Sequence, residues 1–230
     1  HNVETFCAAA HISLQGSAWW KGRGTAQSTG TKLHSVSGDC ARPGVYEYPL
    51  GVSVAQVLHD CGAHEPQAVQ VGGPSGTCLA APEFKRRLGF EDVPTAGAFM
   101  VFGAQRDMFE VAHHFAQFFA HESCGFCTPC RVGTQLVLRR MDKLALGHGS
   151  PWDLHELHAL EQLMHGTTHC GLGATATHAL RDTLQRFGPA FAARSPQAHL
   201  VPGFDLDAEL APARRATGRN DAQAHLDTLE

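Results

Sequence analysis

The sequence predicts an α+β protein in which a small domain of the β-grasp kind precedes a four-helix bundle. Three observations lead to this prediction. Short β-type runs separated by turn residues extend from about Lys32 to Gly103, and one helical segment interrupts them. Helical periodicity replaces the strands after Gly103 and continues to Phe187. The 230 residues are 43% hydrophobic and 17% charged, a composition typical of folded globular domains.

The first domain is predicted from its strands and turns. Its four clearest β-type runs are "KLHSVSG", "GVYEYPL", "AVQVGG" and "AFMVFG". Between the second and the third lies a helical segment, "SVAQVLHDCG", with Ser53 as its N-cap and Gly62 just past its end. Four or five strands around one helix make a small α+β unit, which we assign to residues 31–105. Residues 1–30 contain one short helix and no evident core of their own.

The second domain is predicted from four helical segments within residues 106–190. They are "DMFEVAHHFAQFFAHES", "TPCRVGTQLVLRRMDKLALG", "SPWDLHELHALEQLMHG" and the stretch from about Ala174 to Phe187. Short connections between helices favour antiparallel packing, and four such helices predict a compact bundle. Residues 191–230 are rich in Ala, Pro and Arg, which favours a tail or a docking segment over a core.

Capping residues support the positions of these helices. Asp107 is the expected N-cap of the first segment, and Thr128 is the expected N-cap of the second, followed by Pro129 at the first helical position. Ser150 is the expected N-cap of the third segment, with Asp153 as its capping-box partner.

Composition and motifs exclude several functions. The chain has 18 basic and 22 acidic residues, and no run of Lys and Arg is interleaved with aromatics, so no nucleic-acid partner is expected. No apolar run approaches the roughly 20 residues of a spanning helix, so no direct membrane insertion is expected. "GGPSG" lacks the Lys-Ser or Lys-Thr of a phosphate loop and predicts a β-turn. "HELH" does not match the zinc motif H-E-x-x-H, which favours solvated histidines.

Three cysteines lie within seven residues of the stretch "ESCGFCTPCRVGT", namely Cys124, Cys127 and Cys130. This spacing places three thiols around one point in a single loop. Structural zinc sites more often use two separated pairs of ligands, whereas a triple with one distant cysteine is typical of a [4Fe-4S] cluster. We therefore predict a cluster, with a four-cysteine zinc site or three unrelated thiols as the alternatives.

Cys170 is the expected fourth ligand, because "GTTHCGLGA" is a glycine-bracketed loop between the third and fourth helices of the same bundle. Cys130 lies in the first turn of a helix, where unpaired N–H groups and the positive end of the dipole favour a thiolate, and Arg131 adds a positive charge. The other cysteines precede the bundle and are expected to be buried or incidental thiols: Cys7, Cys40, Cys61 and Cys78. Grouped cysteines favour metal ligation in a reducing compartment, here the cytoplasm.

Five segments occur in the same order as in a known family: "NVET", "GTKLHSVSG", "RPGVYEYPLG", "ESCGFCTPCRVGT" and "CGLG". Over about Asn2 to Phe187 the chain resembles the NADH-oxidising flavoprotein subunit of respiratory complex I. It also resembles the diaphorase subunits of soluble NAD-reducing hydrogenases and of NAD-dependent formate dehydrogenases. Phe126, Val132, Gly171 and the segment "GFDLDAELAPARRATGR" look more like the hydrogenase and formate dehydrogenase branch.

The resemblance implies a fold order and a set of cofactors. In that family a domain that binds FMN and NADH comes first, followed by a β-grasp domain of the ubiquitin-like, ligand-binding type and a helical bundle with one [4Fe-4S] cluster. Residues 1–30 then correspond to the end of the first domain and a linker, so the chain alone is expected to lack the NADH site. FMN would be bound mostly by that upstream domain.

The resemblance also implies site residues and partners. Cys124, Cys127, Cys130 and Cys170 resemble the cluster ligands, Asn2 and Thr5 resemble flavin contacts, and Leu172 resembles a residue packed near the flavin. No side chain is expected to act as a general acid or base. The implied function is electron transfer between FMN and the cluster in an NAD(H)-linked complex whose other iron-sulfur subunits are the partners. The alternatives are a complex I flavoprotein subunit, a non-catalytic interaction module with a four-cysteine zinc site, and a self-standing ferredoxin-like carrier.

Overall fold

The computed structural model describes residues 2–199 and 206–218. Within these ranges the strands are β1 (Thr31–Gly38), β2 (Gly44–Pro49), β3 (Pro66–Val71), β4 (Thr77–Ala80) and β5 (Ala98–Gly103). The helices are α1 (Val3–Gln15), α2 (Ser17–Lys21), α3 (Val54–Asp60), α4 (Met108–Glu122), α5 (Thr128–Ala145), α6 (Pro151–Thr167), α7 (Gly171–Thr175), α8 (His178–Arg186), α9 (Gly188–Ala192) and α10 (Leu206–Thr217). The prediction of a mixed α and β chain is confirmed.

The strands form one five-stranded sheet in the order β2-β1-β5-β3-β4. β1 pairs antiparallel with β2 and parallel with β5, while β3 pairs antiparallel with both β4 and β5. Helix α3 buries Val54, Val57 and Leu58 in the core beneath the sheet. It begins as predicted, because the Ser53 hydroxyl accepts a hydrogen bond of 3.2 Å from the backbone N–H of Gln56.

All four β-type runs predicted from the sequence form strands, and β4 is the additional one. The stretch "GGPSG" forms the predicted turn between β3 and β4, in which the N–H of Gly76 donates a 2.9 Å hydrogen bond to the carbonyl of Gly73. The N-terminal stretch differs from the prediction of one short helix. It forms α1 and α2, which meet at Gly16, where a φ of +85° breaks the helical path.

Helices α4 to α9 surround a second core. Helix α5 packs against α4 and α6, and α4 packs against α8 and α9. The largest fully buried side chains of this core are Phe109, Phe119, Met141, Leu144, Leu157, Met164 and Phe191. At Gly133 of α5 an added Cβ would come within 2.6 Å of Met164 Sδ, so glycine permits the close approach of α5 and α6. Phe191, the first residue assigned to the tail from the sequence, lies in this core.

The capping predictions are confirmed for two helices and shifted for one. Asp107 Oδ1 accepts a 2.9 Å hydrogen bond from the N–H of Phe109, and Asp153 accepts one of 2.9 Å from the N–H of Ser150. Helix α5 begins one residue earlier than predicted. Its N-cap is Cys127, which makes Thr128 the first helical residue.

The predicted helix from Ala174 to Phe187 is divided into α7 and α8. At the end of α7, Thr175 donates its hydroxyl to the carbonyl of Gly171 at 2.6 Å. Thr177 then adopts φ −104° and ψ 2°, outside the helical region, before α8 begins. Periodicity alone did not indicate this break, because apolar residues continue through it.

The sheet and the helices are joined through Cys78, Met108 and Ala68, which form a small buried cluster. Across the same boundary Asp182 of α8 accepts a 3.0 Å hydrogen bond from the N–H of Cys78. Among the described residues, no helix is both long enough and apolar enough to cross a membrane. Of the predicted tail, residues 191–199 and 206–218 are described, and the second of these ranges contains α10. Positions 200–205 and 219–230 lie outside the described residues.

Candidate metal centre

The four cysteines predicted as cluster ligands line one cavity of about 310 Å³. The cavity lies between the loop that precedes α5 and the loop that precedes α7. The cysteine side chains are Cys124, Cys127, Cys130 and Cys170, and the other lining residues are Ser123, Phe126, His169 and Leu172. The structure therefore brings the distant cysteine to the triple.

The first loop connects the end of α4 to the start of α5. It turns at Gly125, whose φ of +76° lies in the region that favours glycine. Arg131, one turn into α5, donates a hydrogen bond of 2.7 Å from Nη1 to the carbonyl of Gly125. Cys130 is buried, and its Sγ lies 3.4 Å from the Ser123 hydroxyl oxygen. These contacts fix both ends of the loop on the two helices that flank it.

The second loop connects α6 to α7 and carries Cys170 as the N-cap of α7. Thr168 holds the end of α6 by donating its hydroxyl to the carbonyl of Met164 at 2.8 Å. Gly173 packs directly against the end of α6 and the start of α5, because an added Cβ would lie 2.8 Å from Thr168 Cγ2 and 3.1 Å from Cys130 Cβ. A side chain at this position would require α7 or Thr168 to shift.

Backbone donors lower the pKa of the Cys127 thiol. The main cause is the N–H of His169 from the second loop, followed by the N–H of Cys130, and the positive charge of Arg131 acts in the same direction. The thiolate form that a metal ligand requires is thus favoured at the point where the two loops meet.

The scattered cysteines are in a different environment. Burial raises the pKa of Cys61 to about 11 and that of Cys78 to about 12. Both lie within apolar clusters, Cys61 beneath the sheet and Cys78 at the boundary with the helices. All eight cysteines are free thiols. The prediction that these two are buried thiols agrees with their positions.

The donor set and the size of the cavity fit an iron-sulfur cluster. Four soft sulfur donors are the ligands that such clusters take. A cavity of about 310 Å³ equals the liquid volume of roughly ten water molecules, which leaves room for a core of several atoms among the four thiols. Within the part of the chain that the structure describes, no three His, Cys, Asp or Glu side chains are grouped tightly enough to share one metal ion, so the four cysteines line a common cavity without converging on a single point.

Three of the lining residues were not predicted to belong to the site, namely Ser123, Phe126 and His169. Each directly precedes one of the four cysteines, and Phe126 also lies between two of them. Adjacency to a ligand was therefore the signal that could have identified them. The rings of Phe126 and His169 are in contact across the two loops, with their centroids 5.4 Å apart.

The residues predicted to contact a flavin lie in two places. Leu172 lines the cysteine cavity. Asn2 is the N-cap of α1, where its Oδ1 accepts hydrogen bonds from the backbone N–H of Thr5 at 2.9 Å and from the Thr5 hydroxyl at 2.8 Å. Thr5 also lines a second cavity of about 930 Å³ beside α1, together with Trp19 and Lys32. In this arrangement the polar atoms of Asn2 and Thr5 stabilise the start of α1.

A comparison with protein-family models matches residues 110–194 to the NADH-ubiquinone oxidoreductase-F iron-sulfur binding region. The match begins in α4 and ends just after α9, so it includes all four cysteines that line the cavity.

Curated proteins with similar sequences are subunits of redox enzymes. The NAD-reducing hydrogenase HoxS subunit alpha of Cupriavidus necator is 39% identical over 219 residues, which cover 94% of this chain and 36% of that protein. The NADP-reducing hydrogenase subunit HndC of Solidesulfovibrio fructosivorans is 34% identical, covering 84% of this chain and 42% of that protein. The F subunit of the NADH-quinone oxidoreductase of Escherichia coli is 29% identical, covering 89% and 49% respectively. The chain thus spans less than half the length of these relatives.

A solved structure is similar over nearly the whole chain. It is a crystal structure of an NAD⁺-reducing [NiFe]-hydrogenase in the H2-reduced state, with a TM-score of 0.88 and 47% sequence identity. The similarity covers 98% of this chain and 40% of that one.

Proposed function

The chain belongs, through residues 110–194, to the NADH-ubiquinone oxidoreductase-F iron-sulfur binding family, and from this premise we propose that it holds a [4Fe-4S] cluster and takes part in electron transfer with FMN. The observation that carries the proposal is the cavity lined by Cys124, Cys127, Cys130 and Cys170. Homologous proteins are subunits of NAD-linked oxidoreductases. A bound cluster of this kind supplies one-electron transfer to the site.

The protein's contribution is to bind the cluster and to adjust its reduction potential. The four thiolates would be the ligands, and their negative charge is stabilised by donors that the two loops supply. The N–H of His169 and the N–H of Cys130 point at Cys127, and the Ser123 hydroxyl lies beside Cys130. Hydrogen bonds and nearby positive charge of this kind raise the reduction potential of a cluster. The positive end of the α5 dipole lies beside the same thiolates and acts in the same direction.

The chain is proposed to act within a larger enzyme. It corresponds to part of subunits whose names refer to NAD, NADP or NADH as the nicotinamide. Following that likeness, FMN and NAD(H) would be bound mainly by a domain upstream of residue 1, with Asn2, Thr5 and Leu172 as contacts to the flavin. Other iron-sulfur subunits would accept or donate the electrons. No residue of this chain is assigned to acid or base chemistry.

We assign the chain to the branch of hydrogenase and formate dehydrogenase diaphorases. Identity is 39% to the C. necator hydrogenase subunit, against 34% to the F 2 subunit of the NADH-quinone oxidoreductase of Rhizobium meliloti and 29% to the E. coli subunit. The structural match to an NAD⁺-reducing hydrogenase supports the same branch. A respiratory flavoprotein subunit remains the alternative, since both groups share the cysteine motif.

The same likeness supports the finer description of the fold. The five-stranded sheet with α3 on one side supports a β-grasp, ubiquitin-like domain in residues 31–105. The shared core of α4, α5, α6 and α8 supports a four-helix bundle in residues 106–190. Residues 1–30 would form the C-terminal end of the upstream domain and a linker, and residues 191–230 would form a tail. A cytoplasmic location is proposed because all eight cysteines are free thiols.

The proposal is tested by loading the chain under anaerobic conditions with iron and sulfide. We expect about four irons and four sulfides per chain, together with a reducible cluster signal in electron paramagnetic resonance, since four thiolates bind one cubane. Cys170→Ser should lower the iron content and alter the signal. Cys61→Ser is the matched control and should leave both unchanged. Stoichiometric zinc without any cluster signal would show that the site is structural and would overturn the proposal.

A further inference from the structure

A contact between two aromatic rings joins the two loops that carry the cysteines. The rings of Phe126 and His169 lie with their centroids 5.4 Å apart, and both side chains line the cavity. Building on the proposed function, we propose that this ring pair is a positioning device for the cluster. It holds the loop of Cys170 against the loop of Cys124 and Cys127 and thereby keeps the fourth ligand in place.

Cys170 needs such support because its own segment is weakly anchored. The cysteine is exposed and caps α7, a helix of only five residues, and helices this short are marginal without tertiary contacts. On the inner side the segment is held by Gly173 against Cys130 and by the N–H of His169 on the Cys127 sulfur. These contacts hold only the inner side of the loop, so a further contact is needed to hold its solvent-facing side.

The ring pair occupies that solvent side. Phe126 is 75% exposed and His169 is also exposed, so the contact lies at the outer edge of the cavity. A single exposed Phe is ordinary in a folded protein and carries no argument by itself. The positions of the two residues in the chain carry the argument, because Phe126 directly precedes Cys127 and His169 directly precedes Cys170. Fixing the two rings therefore fixes the backbone at one ligand of each loop.

The size of the effect follows from aromatic pairing. A tilted pair at this separation, here with an interplanar angle of 58°, shifts an equilibrium by roughly two- to tenfold. Loss of either ring should therefore raise the population of the open loop by that factor. Loss of both rings should do no more than loss of one, because the contact is already gone.

Hydrogen exchange of the cluster-free chain tests the ring contact directly. The reporters are the amide of His169, which donates to Cys127, and the amide of Ala174, which donates to the Cys170 carbonyl at 3.2 Å. In Phe126→Ala and in His169→Ala both amides should exchange two- to tenfold faster, and the double variant should match the single ones. Phe90→Ala is the matched control, since Phe90 is 77% exposed and belongs to the sheet domain.

The loaded chain provides the second measurement, the rate at which a chelator removes the cluster absorbance. Phe126→Ala and His169→Ala should lose the cluster two- to tenfold faster than the wild type. Phe126→Tyr and His169→Tyr keep a ring on each side and should restore the wild-type rate. The thermal midpoint should fall by no more than about 2–4 °C in the alanine variants, because neither ring contributes to a buried core.

The outcomes separate this inference from the proposed function. A wild-type chain that takes up no cluster overturns the proposed function, while the exchange rates still decide whether the rings hold the loops together. If the wild-type chain takes up its cluster and the amide exchange rates are unchanged in Phe126→Ala, the inference about the ring pair is overturned and the proposed function is not. Rate increases that add up in the double variant would also contradict it, because independent effects mean that the rings do not act on each other.

Discussion

The guanidinium of Arg131 reaches back along the cluster loop and donates a 2.7 Å hydrogen bond to the carbonyl of Gly125, the residue at which that loop turns. One side chain thus supplies both a positive charge and a tether to the same loop. The two contributions are separable, because lysine keeps the charge and lacks the planar fork that forms this bond.

Substitutions at Arg131 should separate charge from tethering. Arg131→Gln removes both and should lower the midpoint potential of the loaded chain by an amount on the order of tens of millivolts, since one positive charge near the cluster is lost. Arg131→Lys should keep most of the potential and yet lose the cluster faster to a chelator. Redox titration followed by electron paramagnetic resonance measures the first effect. Equal potentials in the wild type and Arg131→Gln would show that the charge is fully screened by solvent.

Gly173→Ala should displace the fourth ligand. The new Cβ would lie 2.8 Å from Thr168 and 3.1 Å from Cys130, so α7 must shift relative to the end of α6 or displace Thr168. We expect a cost of about 1–3 kcal/mol in the free energy of unfolding and fewer than four irons per chain after loading. Urea denaturation and iron analysis are the measurements.

Gly171→Ala is the control for that substitution. It lies in the same short helix, and nothing lies within 4 Å of its added Cβ. Alanine is the better helix former by up to roughly 1 kcal/mol, so this variant should be neutral or slightly stabilised and should load normally. An equal loss of iron in both variants would mean that any side chain in α7 disturbs the site, and that the close approach at Gly173 has no special role.

The sequence predicted the elements that depend on local pattern. Alternation predicted β1, β2, β3 and β5, and the spacing of three cysteines predicted that they lie together. Strand β4 was not assigned a range because its four residues, "TCLA", show no alternation, and Cys78 and Leu79 are buried on opposite faces. The break between α7 and α8 lies at Thr177, whose backbone leaves the helical region, and periodicity does not reveal it. The contact of Phe126 with His169 joins residues far apart in the chain, so no local pattern could predict it.

An ion pair at the boundary of the sheet and the helices should couple their unfolding. Arg186 of α8 donates to Glu83, which follows β4, at 2.8 Å, and this guanidinium lowers the pKa of Glu83 to about 2. Glu83→Gln should cost about 1–3 kcal/mol, because a charged hydrogen bond is replaced by a neutral one. In calorimetry we expect one thermal transition for the wild type and a broadened or divided transition for Glu83→Gln. Lys85→Gln, on a neighbouring residue, is the control and should leave the transition unchanged.

The same pair predicts a dependence on acid. A carboxyl whose pKa is about 2 when folded and 4.5 otherwise stabilises the fold fully above pH 4.5, and this contribution is lost as pH falls toward 2. Glu83→Gln has no carboxyl to protonate and should not lose this contribution. The difference in free energy of unfolding between the variant and the wild type should therefore become smaller in acid. A gap that stays constant from pH 6 to pH 3 would show that the charge of Glu83 does not contribute.

His34 should make the stability of the fold depend on pH in a range above that of Glu83. Its ring is fully buried in β1, and among the described residues neither ring nitrogen has a hydrogen-bond partner. Burial, followed by the positive charge of Lys32, lowers the pKa of His34 to about 4. Between pH 6.5 and pH 4 the unfolded chain therefore takes up a proton that the folded chain refuses, and stability falls as the pH falls. The full difference amounts to about 3 kcal/mol.

Urea denaturation at pH 7.5, 6.0 and 5.0 tests this expectation. The wild type should lose stability progressively below pH 6.5, and above that value His34 should have no effect, because it is neutral in both states. His34→Leu removes the titrating group and should flatten the profile between pH 6.5 and pH 5. His155→Gln removes an exposed histidine of α6 and should keep the wild-type slope. A wild-type slope in His34→Leu would show that the buried ring is not the group that titrates.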